Sequence, residues 1–303
     1  MNAAKFSTLL KDAKTRIFAA LIACLIIPGA ALHAGDGKIP VYQACTISSP
    51  GYYYLTQDIT SGSGITIGSD NVTLDLNGHL LVSTGYGVYS PSRTNVRITN
   101  GSISATSSGI NVSTLPTGAF VQIDHVRIIA AASYGIVVVG PSTGIRAQAI
   151  IEHNTVVSVN PGNGIELDYV TGSRIQGNTV TSVFKTSGNG TGIYIAYGLN
   201  SLVCDNVSGG NGSYGIYLNA CTGLQVTKNT CANDANSGIL ANSCSGCSFT
   251  WNTLSSNSVY GLYISMGSNN IYDNNQAMNN LSSGFYVSAS SGTIAGAGNT
   301  STP

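Results

Sequence analysis

The chain has 303 residues, of which only 8% are charged, and its twelve basic and twelve acidic side chains cancel to a formal net charge of zero. A nucleic-acid partner calls for a basic face that displaces counterions, and a disordered chain for high net charge with few apolar residues, so this composition speaks against both. Thirty-seven glycines among abundant Ser, Thr and Asn, with Ile and Val plentiful, suit an all-β chain with many turns.

The first 34 residues read as a secretory signal. Lys5, Lys11, Lys14 and Arg16 precede an apolar run from Ile17 to Ile27, then Pro28, Gly29 and small residues, with cleavage expected near Ala34. The run is too short to span a bilayer, and no later segment is long and apolar enough to do so. LIAC, ending at Cys24, also resembles a lipoprotein box, so lipid anchoring through Cys24 is the alternative to release into the periplasm or the medium. Export would place Cys45, Cys204, Cys221, Cys231, Cys244 and Cys247 in an oxidising setting. Cys244 and Cys247 have CxxC spacing, but no second ligand pair comes after them to complete a zinc site.

Residues 35–64 form a lead-in, with Ile39 to Gly64 expected to cap one open end of the repeating region. From residue 65 to 290 the chain repeats itself, and 291–303 are a tail. Gly192, Gly215, Gly238, Gly261 and Gly284 recur every 23 residues, as do Asn206, Asn229, Asn252 and Asn275. A constant period in the twenties marks a solenoid. Within each repeat Ile216 and Leu218 alternate with Tyr217 and Asn219, and Leu224 and Val226 with Gln225 and Thr227, which is the period of half-buried strands. The segments between them are too short for crossover helices, so each strand pairs with its own copy one coil later, in parallel. The predicted fold is an all-β, single-stranded parallel β-helix of about nine to ten coils of roughly 23 residues. The repeating Asn is expected at a turn, in left-handed conformation, bonded to its copies above and below.

ISSPGYYYLTQDI, NVTLDLNGHLL and the coils GIYL…VTKNT are very similar to bacterial right-handed parallel β-helix repeat proteins of the pectate-lyase-like superfamily, over residues 45 to 290. The resemblance implies right-handed coiling, in keeping with the general handedness of parallel crossovers. It is specific for fold and not for activity, since such proteins include lyases, hydrolases, epimerases and members without known chemistry.

Stacking the coils turns the sequence into outward columns. One reads Tyr89, Asn111, Val137, Glu166, Tyr194, Tyr217, Leu240, Tyr263 and Tyr286, and the column two residues on reads Pro91, Ser113, Val139, Asp168, Ala196, Asn219, Asn242, Ser265 and Ser288. Proteins of this fold hold sugar chains on such rows, aromatic faces covering C–H surfaces while amides and acids bond hydroxyls. Tyr194, Tyr217, Tyr263, Tyr286, Asn219 and Asn242 are therefore the candidate substrate contacts, and Glu166 with Asp168 a candidate acid and base. The structural alternative is that stacked tyrosines only stabilise neighbouring strands.

VQIDHVRI and AIIEHNTVV give a second cluster, with Asp124 beneath Glu152, His125 beneath His153 and Arg127 nearby. His125 and His153 are candidates for proton exchange, and Asp124 with Glu152 for holding a cation such as calcium. IDH at 123–125 resembles the middle of a pectate-lyase motif but has Gln122 where that motif has an aromatic. Arg97 and Arg174 read as isolated anion contacts, Asp75 and His79 as a turn network, and Cys221 and Cys244 as a disulfide or an unpaired thiol stack. The expected function is an exported protein that engages polysaccharide, in the catalytic case a lyase on an acidic glycan. The alternatives are a non-catalytic structural or adhesin-like solenoid and a periplasmic metal-handling protein; oligomeric state stays open.

Overall fold

The computed structural model describes residues 37–184 and 190–302; the signal segment and Cys24 lie outside them. Among the described residues strands are the only regular elements, and the pairings between them are parallel. They form an eleven-stranded sheet, one strand per coil, and a twenty-stranded sheet to which most coils give two strands. Ten strands of the smaller sheet lie beyond residue 64, and Thr46–Ile47 of the lead-in supplies the eleventh by pairing with Ile65–Ile67. Among the described residues no helix is long and apolar enough to cross a membrane.

Register carries the repeat. Ile193 pairs with Ile216, Ile216 with Ile239, Ile239 with Leu262 and Leu262 with Phe285. Partners before Ile193 are separated by unequal stretches, because loops such as 140–147 are inserted between strands that keep their register. Inside the coil, like sits on like: Ile195, Leu218, Ala241 and Ile264 form one buried column, and Val203, Val226 and Phe249 another. Burying each large aliphatic side chain contributes roughly 1.5–3 kcal/mol, and the columns run the length of the stack. The repeating glycine opens the strand where successive backbones nearly touch, since a Cβ on Gly261 would sit 2.5 Å from the Gly284 carbonyl.

The asparagines form a ladder, with one correction to the expected geometry. Asn229 donates through Nδ2 to Asn252 Oδ1 at 3.0 Å and to the Val203 carbonyl at 2.9 Å, while its backbone N–H donates to the same Asn252 Oδ1. Asn154, Asn178, Asn206, Asn252 and Asn275 repeat this pattern. The left-handed residue, however, is the one before: Asp205, Lys228, Trp251 and Asn274 have φ of 54° to 59°. That residue turns the corner outward, so the asparagine beneath it points into the coil and satisfies buried backbone groups there. A second, shorter ladder runs Asn211, Asp234, Asn257 and Asn280.

Candidate functional site

The outer face of the eleven-stranded sheet carries the first predicted group. Strand alternation sends Ile165 and Leu167 inward and leaves Glu166 and Asp168 outward, on one strand and one face. Glu166 pairs in register with Tyr194, and Tyr194 with Tyr217, so carboxylate and rings form a continuous column. Leu240 then interrupts it, 6% exposed, and Tyr263 and Tyr286 make a separate cluster with Tyr260. Asn219 and Asn242 are brought to the tyrosines: Asn219 Nδ2 donates to the Tyr194 hydroxyl at 3.4 Å, and Asn242 Nδ2 to Asn219 Oδ1 at 3.2 Å.

A third column, not singled out from the sequence, closes the site. Asn163, Thr191 and Tyr214 precede the strands by two residues and stand beside the tyrosine column. The Tyr194 and Tyr217 rings meet edge to face at 5.2 Å, and Tyr214 tilts against Tyr217 at 5.2 Å. Together with Asn163, Thr191 and Asn236 these rings line an open groove of about 320 Å³. Burial raises the pKa of the Tyr194, Tyr214 and Tyr217 hydroxyls, so they remain protonated donors. Tyr134, one coil below Asn163, is raised by the nearby charge of Glu166, by burial and by Asp168.

The two carboxylates differ in their surroundings. Glu166 accepts a 2.6 Å bond from Asn163 Nδ2, and Asn163 Oδ1 in turn accepts the Thr191 N–H at 3.2 Å, tying Glu166 to the groove wall. Asp168 stands in register between Val139 and Ala196, and its Oδ1 is buried with no hydrogen-bond partner. Burial against apolar neighbours pushes its pKa up to about 6. A carboxylate so tuned is ionised at neutral pH yet basic enough to take a proton.

The second predicted cluster lies on the other sheet, so the two groups do not meet. Asp124 is in register with Glu152, and the His125 and His153 rings stack at 5.2 Å, as the alignment of coils implies. The acids are nonetheless held by arginines. Arg97 clamps Asp124 through Nε and Nη2, both at 2.9 Å, Thr99 donates to Asp124 Oδ2 at 2.8 Å, and Arg174 Nε donates to Glu152 Oε1. Burial works to raise the Asp124 pKa, but the bonds from Arg97, His125 and Thr99 outweigh it and hold the group at about 2. This donor set does not fit calcium, which takes about six to eight oxygens. Among the described residues no three His, Cys, Asp or Glu side chains converge on a metal position. His125 keeps Nδ1 within 3.0 Å of Asp124 and is otherwise exposed, as is His153.

Of the remaining sequence expectations, Asp75 and His79 do sit in turn networks: Asp75 accepts from Tyr52, Asn77 and Asn100, and His79 Nδ1 lies 3.1 Å from Asp58. Cys221, Cys244 and Cys247 are buried free thiols, and hydrogen bonding to its two neighbours together with burial raises the Cys244 thiol.

A family model described as right handed beta helix region matches residues 108–277. Among solved structures, a double mutant of the periplasmic alginate epimerase AlgG superposes with a TM-score of 0.55 at 11% identity, over 93% of this chain and 82% of that one. The A-module of the Azotobacter vinelandii mannuronan C-5 epimerase AlgE6 gives a TM-score of 0.52 at 14% identity, over 88% and 89% of the two chains. At such identities the likeness is one of fold. No curated protein matches the sequence.

Proposed function

The chain belongs to the right-handed β-helix family, and from that premise we propose that it is an exported protein that binds a polysaccharide across the tyrosine groove and uses Asp168 as a base on it. The observation that carries this reading is the Asp168 carboxylate, half-buried, with Oδ1 unpartnered, beside rings suited to stack on sugar. The two epimerases are named for alginate and mannuronan, both polysaccharides, and one for the periplasm, which supports the substrate class and the export.

In the catalytic reading the sugar bears a carboxylate. Asp168 takes the proton on the carbon beside it, the C–H electrons form a double bond as the neighbouring C–O bond breaks, and the glycosidic oxygen leaves on the other fragment, taking a proton from water, so that an unsaturated end remains. Tyr194 and Tyr217, protonated, bond ring hydroxyls, and Asn219 and Asn242 fix the tyrosines. Asp168→Asn keeps size and hydrogen-bonding reach but removes the base. The expected result is a loss of about 10²-fold or more in release of unsaturated oligosaccharides, with glycan retention on affinity gels unchanged. Wild-type activity should rise with pH through about 6, as Asp168 ionises. Equal activity of the variant would remove Asp168 from the reaction. A non-catalytic glycan-binding solenoid is the second reading, favoured by the Tyr260, Tyr263 and Tyr286 cluster, whose described ring neighbours carry no charge. It predicts retention without any release.

A further inference from the structure

The corner just after Asp168 brings two tyrosines together in adjacent coils. In other coils the chain turns there on a left-handed residue too, and Ser92, Thr114, Ala220, Ser243, Met266 and Ala289 fill the position. Tyr169 and Tyr197 fill it in the two coils between, with φ of 55° and 54°. The two rings lie flat on each other, 4.7 Å apart and 3° from parallel, with Tyr197 40% exposed. Gly140 one coil below and Ala220 one coil above bound the pair, so it forms a platform two coils high.

Arg146 comes to this platform from the loop after Ile136–Val139. Its guanidinium carbon lies 6.0 Å from the Tyr169 ring centre, and Nη1 donates to the Tyr197 carbonyl. It is thereby held in place across two coils without being neutralised, since among the described residues no ion pair involves it. Arg97 and Arg174, by contrast, are each committed to a carboxylate. A planar fork with five N–H donors, one of them used, on an aromatic support is suited to a carboxylate or a sulfate. The platform adjoins the groove: Tyr169 comes directly after Asp168, and the three residues from Glu166 to the corner span roughly 10 Å of extended chain, about two sugar units.

We propose that Arg146, supported on Tyr169 and Tyr197, forms an anion-recognising subsite that selects a carboxylate or sulfate substituent on a polysaccharide lying in the adjoining groove. It rests on the groove reading and adds what that reading leaves open, the residue that distinguishes charged from neutral polymer. The side chain reads charge and the ring pair supports the sugar face, so this is a binding role and not one in bond breaking.

The test is retention of three probes on affinity gels, a polyuronate, a sulfated glucan and a neutral glucan, by wild type, Arg146→Gln, Arg146→Lys and Tyr217→Ala, with melting temperatures measured alongside. Arg146→Gln is expected to weaken retention of one or both anionic probes about tenfold and leave the neutral probe unchanged, while Arg146→Lys restores part of the loss and adds salt sensitivity. The anionic probe affected identifies the substituent. Tyr217→Ala should weaken all three. An unchanged anionic preference in Arg146→Gln, with Tyr217→Ala still impaired, overturns the subsite and leaves the groove standing. Absence of retention by wild type, or no effect of Tyr217→Ala, overturns the groove and the subsite with it. A melting temperature of Arg146→Gln far below wild type, with Arg146→Lys retaining all probes as wild type does, overturns the subsite in favour of a packing role.

Discussion

Asp234 occupies a place built for an asparagine. Its Oδ1 accepts from the Asn211 backbone N–H and side chain at 3.0 and 2.9 Å, but its Oδ2 is buried and has no partner. One coil on, Asn257 uses the corresponding atom, Nδ2, to donate to Asn280 Oδ1, so Asp234 can complete the ladder only by carrying a proton. Burial pushes its pKa up to about 8 from an ordinary 3.8. Between those values the folded chain keeps a proton that the unfolded chain has released, so this group's contribution is full below the lower value and is lost as pH rises through about 8. Asp234→Asn should therefore stabilise the protein at pH above 8 by on the order of a few kcal/mol, and change little in mild acid. Urea unfolding on both sides of that range is the check; equal gains at both would contradict a neutral Asp234. Asp124 shows the opposite sign. Held at about 2, it contributes above its ordinary value and loses that contribution as pH falls toward 2. Arg97→Ala strands this carboxylate, whose side chain is 3% exposed, and should cost about 2 kcal/mol in urea unfolding, less than a fully buried pair because Arg97 is 45% exposed.

At the scale of the strand and its turn, the asparagine ladder does for the corners what the sheets do for the strands. Removing one middle member, Asn252→Ala, takes from the buried Asn229 backbone N–H and the Val226 carbonyl the bonds that Asn252 gives them. The expected cost is about 2–4 kcal/mol, read as a lower melting temperature with the circular dichroism of strands retained; a change within error would make the ladder ornamental. The same scale decides what could be read beforehand. Period and alternation revealed strands, stacking and outward columns, because register makes each coil a copy of the last. The column of Asn163 and Tyr214 stayed hidden because those residues precede the strand, where alternation has not begun. Arg97 looked isolated because its partner is a diagonal neighbour: it pairs in register with Gln122 but reaches Asp124. The unlike environments of Glu166 and Asp168 depend on Asn163, Val139 and Ala196, three coils' worth of side chains that no single repeat displays. Asn206 and its copies were placed at the turn but one residue late in its backbone geometry, since a side chain that bonds its copies and one that turns the corner look alike in sequence.

The whole molecule inherits its properties from neighbour-to-neighbour contact. Each coil touches the one below and the one above, so stability sums along the stack and no distant pair of coils holds it closed. The groove and the arginine-clamped acids lie on different sheets, and a change in the clamped acids should leave the groove's ligand untouched. Coils between residues 190 and 290 are equal in length and nearly free of inserted loops, whereas those from Ile110 to Ile193 are longer and unequal.

That inequality has a mechanical meaning. The far half of the molecule is graduated like a measuring stick, each division one strand spacing tall and 23 residues long. Excising residues 253–275 should remove one division, rejoin Asn252 to Gln276 in the place Thr253 held, and leave a shorter protein with its groove undisturbed. X-ray scattering would then report a maximum dimension reduced by about 4.8 Å. A collapse of the remaining strands instead would show that the divisions are not interchangeable.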